Sequence, residues 1–158
     1  MANILQPAEI VEIGIEKEKK RRDFYALAAD HFKDNDELAK LFARLRDWED
    51  EHIKKFQEIR DHVSKAQYTE SYPGETEGYM KALIDSELYD EATPEAFAAK
   101  VKSPADALDM GIRFEKDAIL FFNGLSRFVD DESKEICSTL IEEEQQHMLY
   151  LFNKKKEL

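Results

Sequence analysis

A chain of 158 residues with a net charge of −12 at pH 7, 42% hydrophobic and 37% charged, suits one domain with a hydrophobic core and densely charged outer faces. That charge argues against nucleic acid or an anionic membrane as a partner. A lone cysteine, Cys137, excludes an intrachain disulfide framework and a Cys-x-x-Cys metal knuckle, and 5 glycines with 4 prolines are few breakers, which favours long helices.

In chain order, the start MANILQPAEIVEIG has no basic stretch followed by an apolar run, so no signal peptide is expected. No apolar run approaches the ~20 residues of a membrane span, and the single cysteine fits a reducing compartment, so a cytoplasmic location is expected. Pro7, with Glu9 and Glu12 behind it, opens a helix predicted over about 7–32. Lys33-Asp34-Asn35-Asp36 is a turn with cap chemistry, and a second helix follows over about 37–64. Between 65 and 103 lie two of the four prolines, Pro73 and Pro94, with tyrosines among acidic residues. This reads as a long crossover with short helices near 76–89 and 94–101, with a mobile excursion as the alternative. Ser103-Pro104 with Asp106 caps a third long helix over about 104–128. Val129-Asp130-Asp131 turns the chain into a last helix over about 132–156, whose closing lysines suit a helix C-terminus. Long helix, short loop, long helix, crossover, then the same hairpin again predicts an all-α antiparallel four-helix bundle as a single domain over 1–158.

The inward seams are unusual. The second helix offers Leu38, Phe42, Leu45, Glu49, His52, Phe56, Ile59 and Val63, at alternating steps of four and three. The fourth offers Cys137, Leu140, Glu144, His147 and Leu151; the third Leu108, Gly111, Glu115, Ala118, Phe122 and Leu125; the first Val11, Gly14, Glu18, Arg21, Tyr25, Ala28 and Phe32. Each seam thus carries a glutamate near mid-length, and two add a histidine one turn on. Buried carboxylates cost several kcal/mol each and repel one another (~4 such groups would protonate or open the bundle) unless positive charge is supplied. Two divalent cations would balance four carboxylates, with neutral imidazoles completing the donor set. A glutamate from each of two helices and Glu-x-x-His from each of the others is the known ligand set of di-iron carboxylate bundles.

An internal repeat supports this reading. Gly14-Ile15-Glu16-Lys17-Glu18-Lys19 with Phe24-Tyr25 aligns without gaps on Gly111-Ile112-Arg113-Phe114-Glu115-Lys116 with Phe121-Phe122. Leu45 with Glu49-Asp50-Glu51-His52-Ile53 aligns on Leu140 with Glu144-Gln145-Gln146-His147-Met148. Glu18 to Glu49 spans 31 positions and Glu115 to Glu144 spans 29, so two matching hairpins bring the four glutamates to one level.

On these residues the chain resembles the rubrerythrin-related branch of the ferritin-like superfamily. The matching segments are Glu18 with Phe24-Tyr25, Glu115-Lys116 with Phe121-Phe122, Glu49 and His52 in WEDEHIKKF, and Glu144 and His147 in IEEEQQHMLYL. The likeness covers the four long helices but not the 65–103 crossover. It implies a ferritin-like fold holding two iron ions (manganese suits the same donors) that react with dioxygen or hydrogen peroxide. Glu49 and Glu144 would bridge the metals, Glu18 and Glu115 would be terminal ligands, and His52 and His147 would each bind one iron. The implied function is an oxidoreductase of ferroxidase or peroxidase type. The rival readings are a non-catalytic metal-binding or interaction bundle and an iron-storage subunit. The sequence departs from the family in three places. The family's second domain with four cysteine ligands finds no match in a sequence with one cysteine, so electrons are expected from an external donor. Ala118 stands where rubrerythrin proper has a further glutamate. Arg21 stands in the seam one turn after Glu18, either paired with a carboxylate or turned outward. A homodimer is the expected assembly.

Other residues have two readings each. Tyr25 is a candidate hydrogen-bond donor to a ligand carboxylate, or an ordinary core tyrosine. Asp47 and Glu142 read as exposed helix acids, with support of a ligand histidine as the alternative. Trp48 and Phe56 read as packing rather than an electron path, and His31 and His62 as surface residues. Cys137 reads as a small buried hydrophobe, and the basic run Lys17 to Arg22 as a solvated helix face.

Overall fold

The computed structural model describes residues 6–65, 74–84 and 93–158, and every regular element among them is helical. The order is α1 (Pro7–His31), α2 (Asp36–Lys65), α3 (Gly74–Ile84), α4 (Pro94–Lys100), α5 (Pro104–Leu125) and α6 (Asp131–Lys156), with a 3₁₀ turn at Ser126–Phe128. The four long helices fall within a residue or so of their expected starts. The third differs at its end, where the last turn tightens to 3₁₀ geometry before Val129. The short helix expected near 76–89 is present as α3 from Gly74 to Ile84, while 85–89 lie outside the described residues. The helix expected at 94–101 is α4. None of the described helices is long and apolar enough to cross a membrane.

Local chemistry sets the helix ends. At α5, Ser103 Oγ accepts from Asp106 N at 3.2 Å while Ser103 N donates to Asp106 Oδ2 at 3.0 Å, a reciprocal capping box with Pro104 in the first turn. Asp130 caps α6 by accepting from Ser133 N at 2.8 Å, and Asn35 Oδ1 accepts from Leu38 N at 3.2 Å at the start of α2. Thr93 caps α4 through Ala96 N at 3.2 Å.

The α1–α2 and α5–α6 hairpins carry the most extensive packing, and they meet through α1 against α5 and α2 against α6. The predicted seam is buried along its length, with only Phe32 half-buried. Its apolar part forms two separate clusters. One gathers Ile10, Ile15, Phe56, Ile59, Phe121, Phe122 and Cys137. The other gathers Phe24, Tyr25, Phe42, Leu45, Leu108, Phe114 and Leu151. Gly14 permits the closest approach in the first cluster, since a Cβ there would lie 2.2 Å from Phe56 Cζ and 2.7 Å from Phe121 Cε1.

The crossover is tied down at α3. Lys17 Nζ donates to Leu83 O at 2.8 Å and pairs with Asp117 Oδ2 at 3.3 Å, both charged residues being buried. Met80 packs against Gly124, where a Cβ would meet its sulfur at 2.3 Å. The reading of Lys17 to Arg22 as a solvated face is therefore corrected. Lys17 and Arg21 turn inward because α5 and the glutamate layer present carboxylates to that side of α1. Only Lys20 in that run is fully exposed.

Candidate metal centre

Between the two apolar clusters lies a polar layer. Glu18 comes from α1, Glu49 and His52 from α2, Glu115 from α5, and Glu144 and His147 from α6. Glu49, Glu115 and Glu144 are 0% exposed, Glu18 and His52 1%, and His147 6%. Helix geometry accounts for the pairing within α2 and α6, where residues three apart share one face.

The atoms interleave in a repeated pattern. His52 Nδ1 lies 2.6 Å from Glu144 Oε1, 3.4 Å from Glu49 Oε2 and 4.0 Å from Glu18 Oε2. His147 Nδ1 lies 3.3 Å from Glu144 Oε2, 3.6 Å from Glu49 Oε1 and 3.9 Å from Glu115 Oε2. Glu49 and Glu144 therefore each turn one oxygen toward each histidine, while Glu18 and Glu115 each attend one. One ligand atom from each of Glu49, His52, Glu144 and His147 lies within 4.8 Å of all the others, so this buried cluster could hold a metal ion.

The layer is left short of partners. Glu18 Oε2, Glu49 Oε1, Glu115 Oε2, both Glu144 oxygens, His52 Nδ1 and His147 Nδ1 are buried without a hydrogen bond of good geometry. Seven such atoms converging on one space is costly for a protein interior, where buried polar groups are nearly always satisfied. A cation set among them would satisfy oxygens and imidazole nitrogens together, so the residues fit a metal.

The electrostatics show the same tension. Burial pushes the Glu18 carboxyl well above its ordinary range, against the pull of Arg21, and burial with the Glu144 and Glu49 charges does so for Glu115. Burial would also raise Glu49, yet Arg21 and the two histidines hold it well below. Glu144 is likewise lowered despite burial and Glu49, chiefly by His52. Both histidines are raised against the effect of burial, His52 by Glu144 and Glu143, His147 by Glu144 and Glu49. Protons and Arg21 thus carry the positive charge the carboxylates need when no metal is bound.

Surrounding groups orient the layer. Tyr25 Oη donates to Glu115 Oε1 at 2.5 Å. His52 Nε2 lies 2.7 Å from Glu143 Oε2, and Lys55 Nζ donates to Glu143 Oε1 at 2.6 Å. A carboxylate only accepts, so Nε2 carries the proton and Nδ1 faces the layer. Asp47 and Glu142 are exposed and do not take this role. Sequence reasoning missed Glu143, whose signal was its repeat mate: positions 48 and 143 each precede a layer glutamate. Each also touches the other half's histidine, since Trp48 stacks on His147 at 4.7 Å between ring centroids and 6° between planes. Beside these rings a groove of about 580 Å³ opens between α2 and α6, lined by Trp48, Lys55, Glu143, Tyr150 and both histidines.

The structure also settles the direction of Arg21. Its guanidinium is buried in the layer and pairs with Glu18. Nε lies 3.4 Å from Glu49 Oε2, Nη2 3.9 Å from Glu144 Oε1, and Nη1 donates to Phe114 O at 3.3 Å. Cys137 is buried as expected, with burial pushing its thiol up to about 12. His31 is exposed, and His62 is partly exposed, 3.6 Å from Glu132. Phe56 is core.

No family model matches the chain, and no curated protein or solved structure does either.

Proposed function

We propose that the chain is a ferritin-like four-helix bundle of rubrerythrin-related type whose polar layer holds two metal ions and serves oxidation–reduction with dioxygen or hydrogen peroxide. The observation that carries this reading is the division of Glu49 and Glu144, one oxygen to each histidine, with Glu18 and Glu115 on opposite sides. Iron bound there would supply the electrons that reduce oxygen or peroxide, and an external donor would restore them; manganese suits the same donors. The chain's own part is positional. Glu143 fixes the proton of His52 on Nε2, Trp48 holds the ring plane of His147, and Tyr25 holds one oxygen of Glu115. The apolar clusters keep water from the layer on both sides, and the α2–α6 groove is the path for a small oxidant.

The test is equilibrium dialysis of the full chain against anaerobic Fe(II), comparing wild type with Glu115→Ala. About two irons per chain in the wild type, clearly fewer in the variant, and a near-ultraviolet band on admitting oxygen are expected. A wild type that takes up no Fe(II) defeats the reading. A second reading rests on Arg21: a guanidinium paired with Glu18 supports a bundle whose layer is neutralised largely from within and is not catalytic. Metal uptake without any reaction with oxygen or peroxide would favour it.

A further inference from the structure

The repeat makes the two halves of the layer alike in their glutamates and histidines, but Arg21 makes them unlike in charge. Its repeat mate is Ala118, buried and neutral. The oxygens that Arg21 approaches are those on the His52 side. Besides Glu18, they are Glu49 Oε2 and Glu144 Oε1, which lie 3.4 Å and 2.6 Å from His52 Nδ1. The oxygens facing His147 are the other two, Glu49 Oε1 and Glu144 Oε2. On that side Glu115 is held by the neutral hydroxyl of Tyr25 instead.

We propose that the halves bind divalent cations unequally: the Glu115–His147 half takes the first ion, and Arg21 keeps the Glu18–His52 half as a weaker, exchangeable second position. The inference rests on the metal reading of the layer and adds an order of filling to it. Formal charge gives its direction. Glu115 and a half share of Glu49 and Glu144 bring −2 to one half, enough for a divalent ion. Glu18 with Arg21 and the same shares bring −1 to the other. Arg21 is anchored by Phe114 O as well as by carboxylates, so it does not simply swing away when a cation arrives. A unit charge at this range in a buried site is worth roughly 100-fold in affinity. The same guanidinium gives Glu18 a partner when no metal is bound.

The experiment is calorimetric titration of the metal-stripped full chain with Co²⁺, with Co²⁺ absorption as a second readout. The wild type is expected to show two steps of about one ion each, separated by roughly 100-fold. Glu18→Gln should remove only the weaker step and Glu115→Gln the tighter one. Arg21→Met should strengthen the weaker step by at least about 10-fold. The two glutamine variants retain Arg21 and decide the order even where Arg21→Met fails to fold. Two equal steps in the wild type, or loss of the tight step in Glu18→Gln, would overturn the inequality while leaving the metal reading intact. No Co²⁺ uptake by the wild type would overturn both.

Discussion

Replacing Tyr25 by phenylalanine removes one oxygen and keeps the ring among Phe24 and Phe42, with centroid distances of 5.5 Å and 6.3 Å. No cavity opens in the apolar cluster, so the measured loss reports the hydroxyl's hydrogen bonding, chiefly to Glu115, with Gly111 O a longer partner at 3.5 Å. That bond is 2.5 Å long and wholly buried. Its removal leaves both Glu115 oxygens unpartnered, because Oε2 already lacks a hydrogen bond. A buried bond of this kind, with its acceptor stranded, is worth about 1–3 kcal/mol. At roughly 2–4 °C per kcal/mol for a chain of this size, a loss of ~2 kcal/mol lowers Tm by about 4–8 °C. The assay is urea unfolding of metal-stripped protein for wild type, Tyr25→Phe, Glu115→Gln and the double variant. The midpoint should fall with the slope unchanged, and the cycle should return a coupling above ~0.5 kcal/mol. A coupling near zero would refute the claim that the hydroxyl holds the carboxyl, and Tyr25 would revert to a packing residue.

The metal-stripped protein should be most stable near pH 5–6. Glu18, Glu115, His52 and His147 are raised, so their contribution is lost as pH rises; Glu49, Glu144 and Glu143 are lowered, so theirs is lost as pH falls below the ordinary 4.5. Unfolding midpoints across pH 4–9 check this, and a monotonic rise to about pH 9 contradicts it. Glu143→Gln should weaken the acid limb, because His52 first and Lys55 next hold Glu143 at about 2. Gly14→Ala should destabilise by about 1–3 kcal/mol through overlap with Phe56 and Phe121, whereas Gly78→Ala, with nothing within 4 Å, should stabilise by up to about 1 kcal/mol. Cys137 should resist a thiol reagent at pH 8 in the folded chain and react fully in denaturant, since burial pushes its thiol up to about 12.

The seam of α2 was legible residue by residue, from Leu38 to Val63, because helical periodicity alone decides which side chains share a face. The six Glu and His positions were legible for the same reason, reinforced by the repeat. Arg21 was not. Its register placed it inward, but only the carboxylates of α2 and α6 and a backbone carbonyl of α5 determine that so long a side chain stays there. Glu143 escaped for a related cause: one position along a helix is a rotation of about 100°, and whether 142 or 143 reaches His52 depends on how α6 crosses α2. Lys17 looked like one more surface lysine until Asp117 and Leu83 O were brought to it from positions far away in sequence. Pairings between helices of this kind leave no periodic trace.

The division of the core into two apolar clusters with a charged layer between them bears on alignment as well as chemistry. Leucine and phenylalanine seams tolerate sliding: displace one hairpin along the other by a helical turn, about 5.4 Å, and apolar residues still meet apolar residues over most of the length. The layer does not tolerate it. The same slip would carry Glu115 and Glu144 off Tyr25, His52 and Arg21 and, according to its direction, toward the Phe56 or the Phe42 ring of α2. Six ionisable residues thus act as a vernier mark that admits one setting of the hairpins, at a cost in stability that an all-leucine layer would not carry. Such a substituted chain should melt higher and yet settle into several helix offsets instead of one.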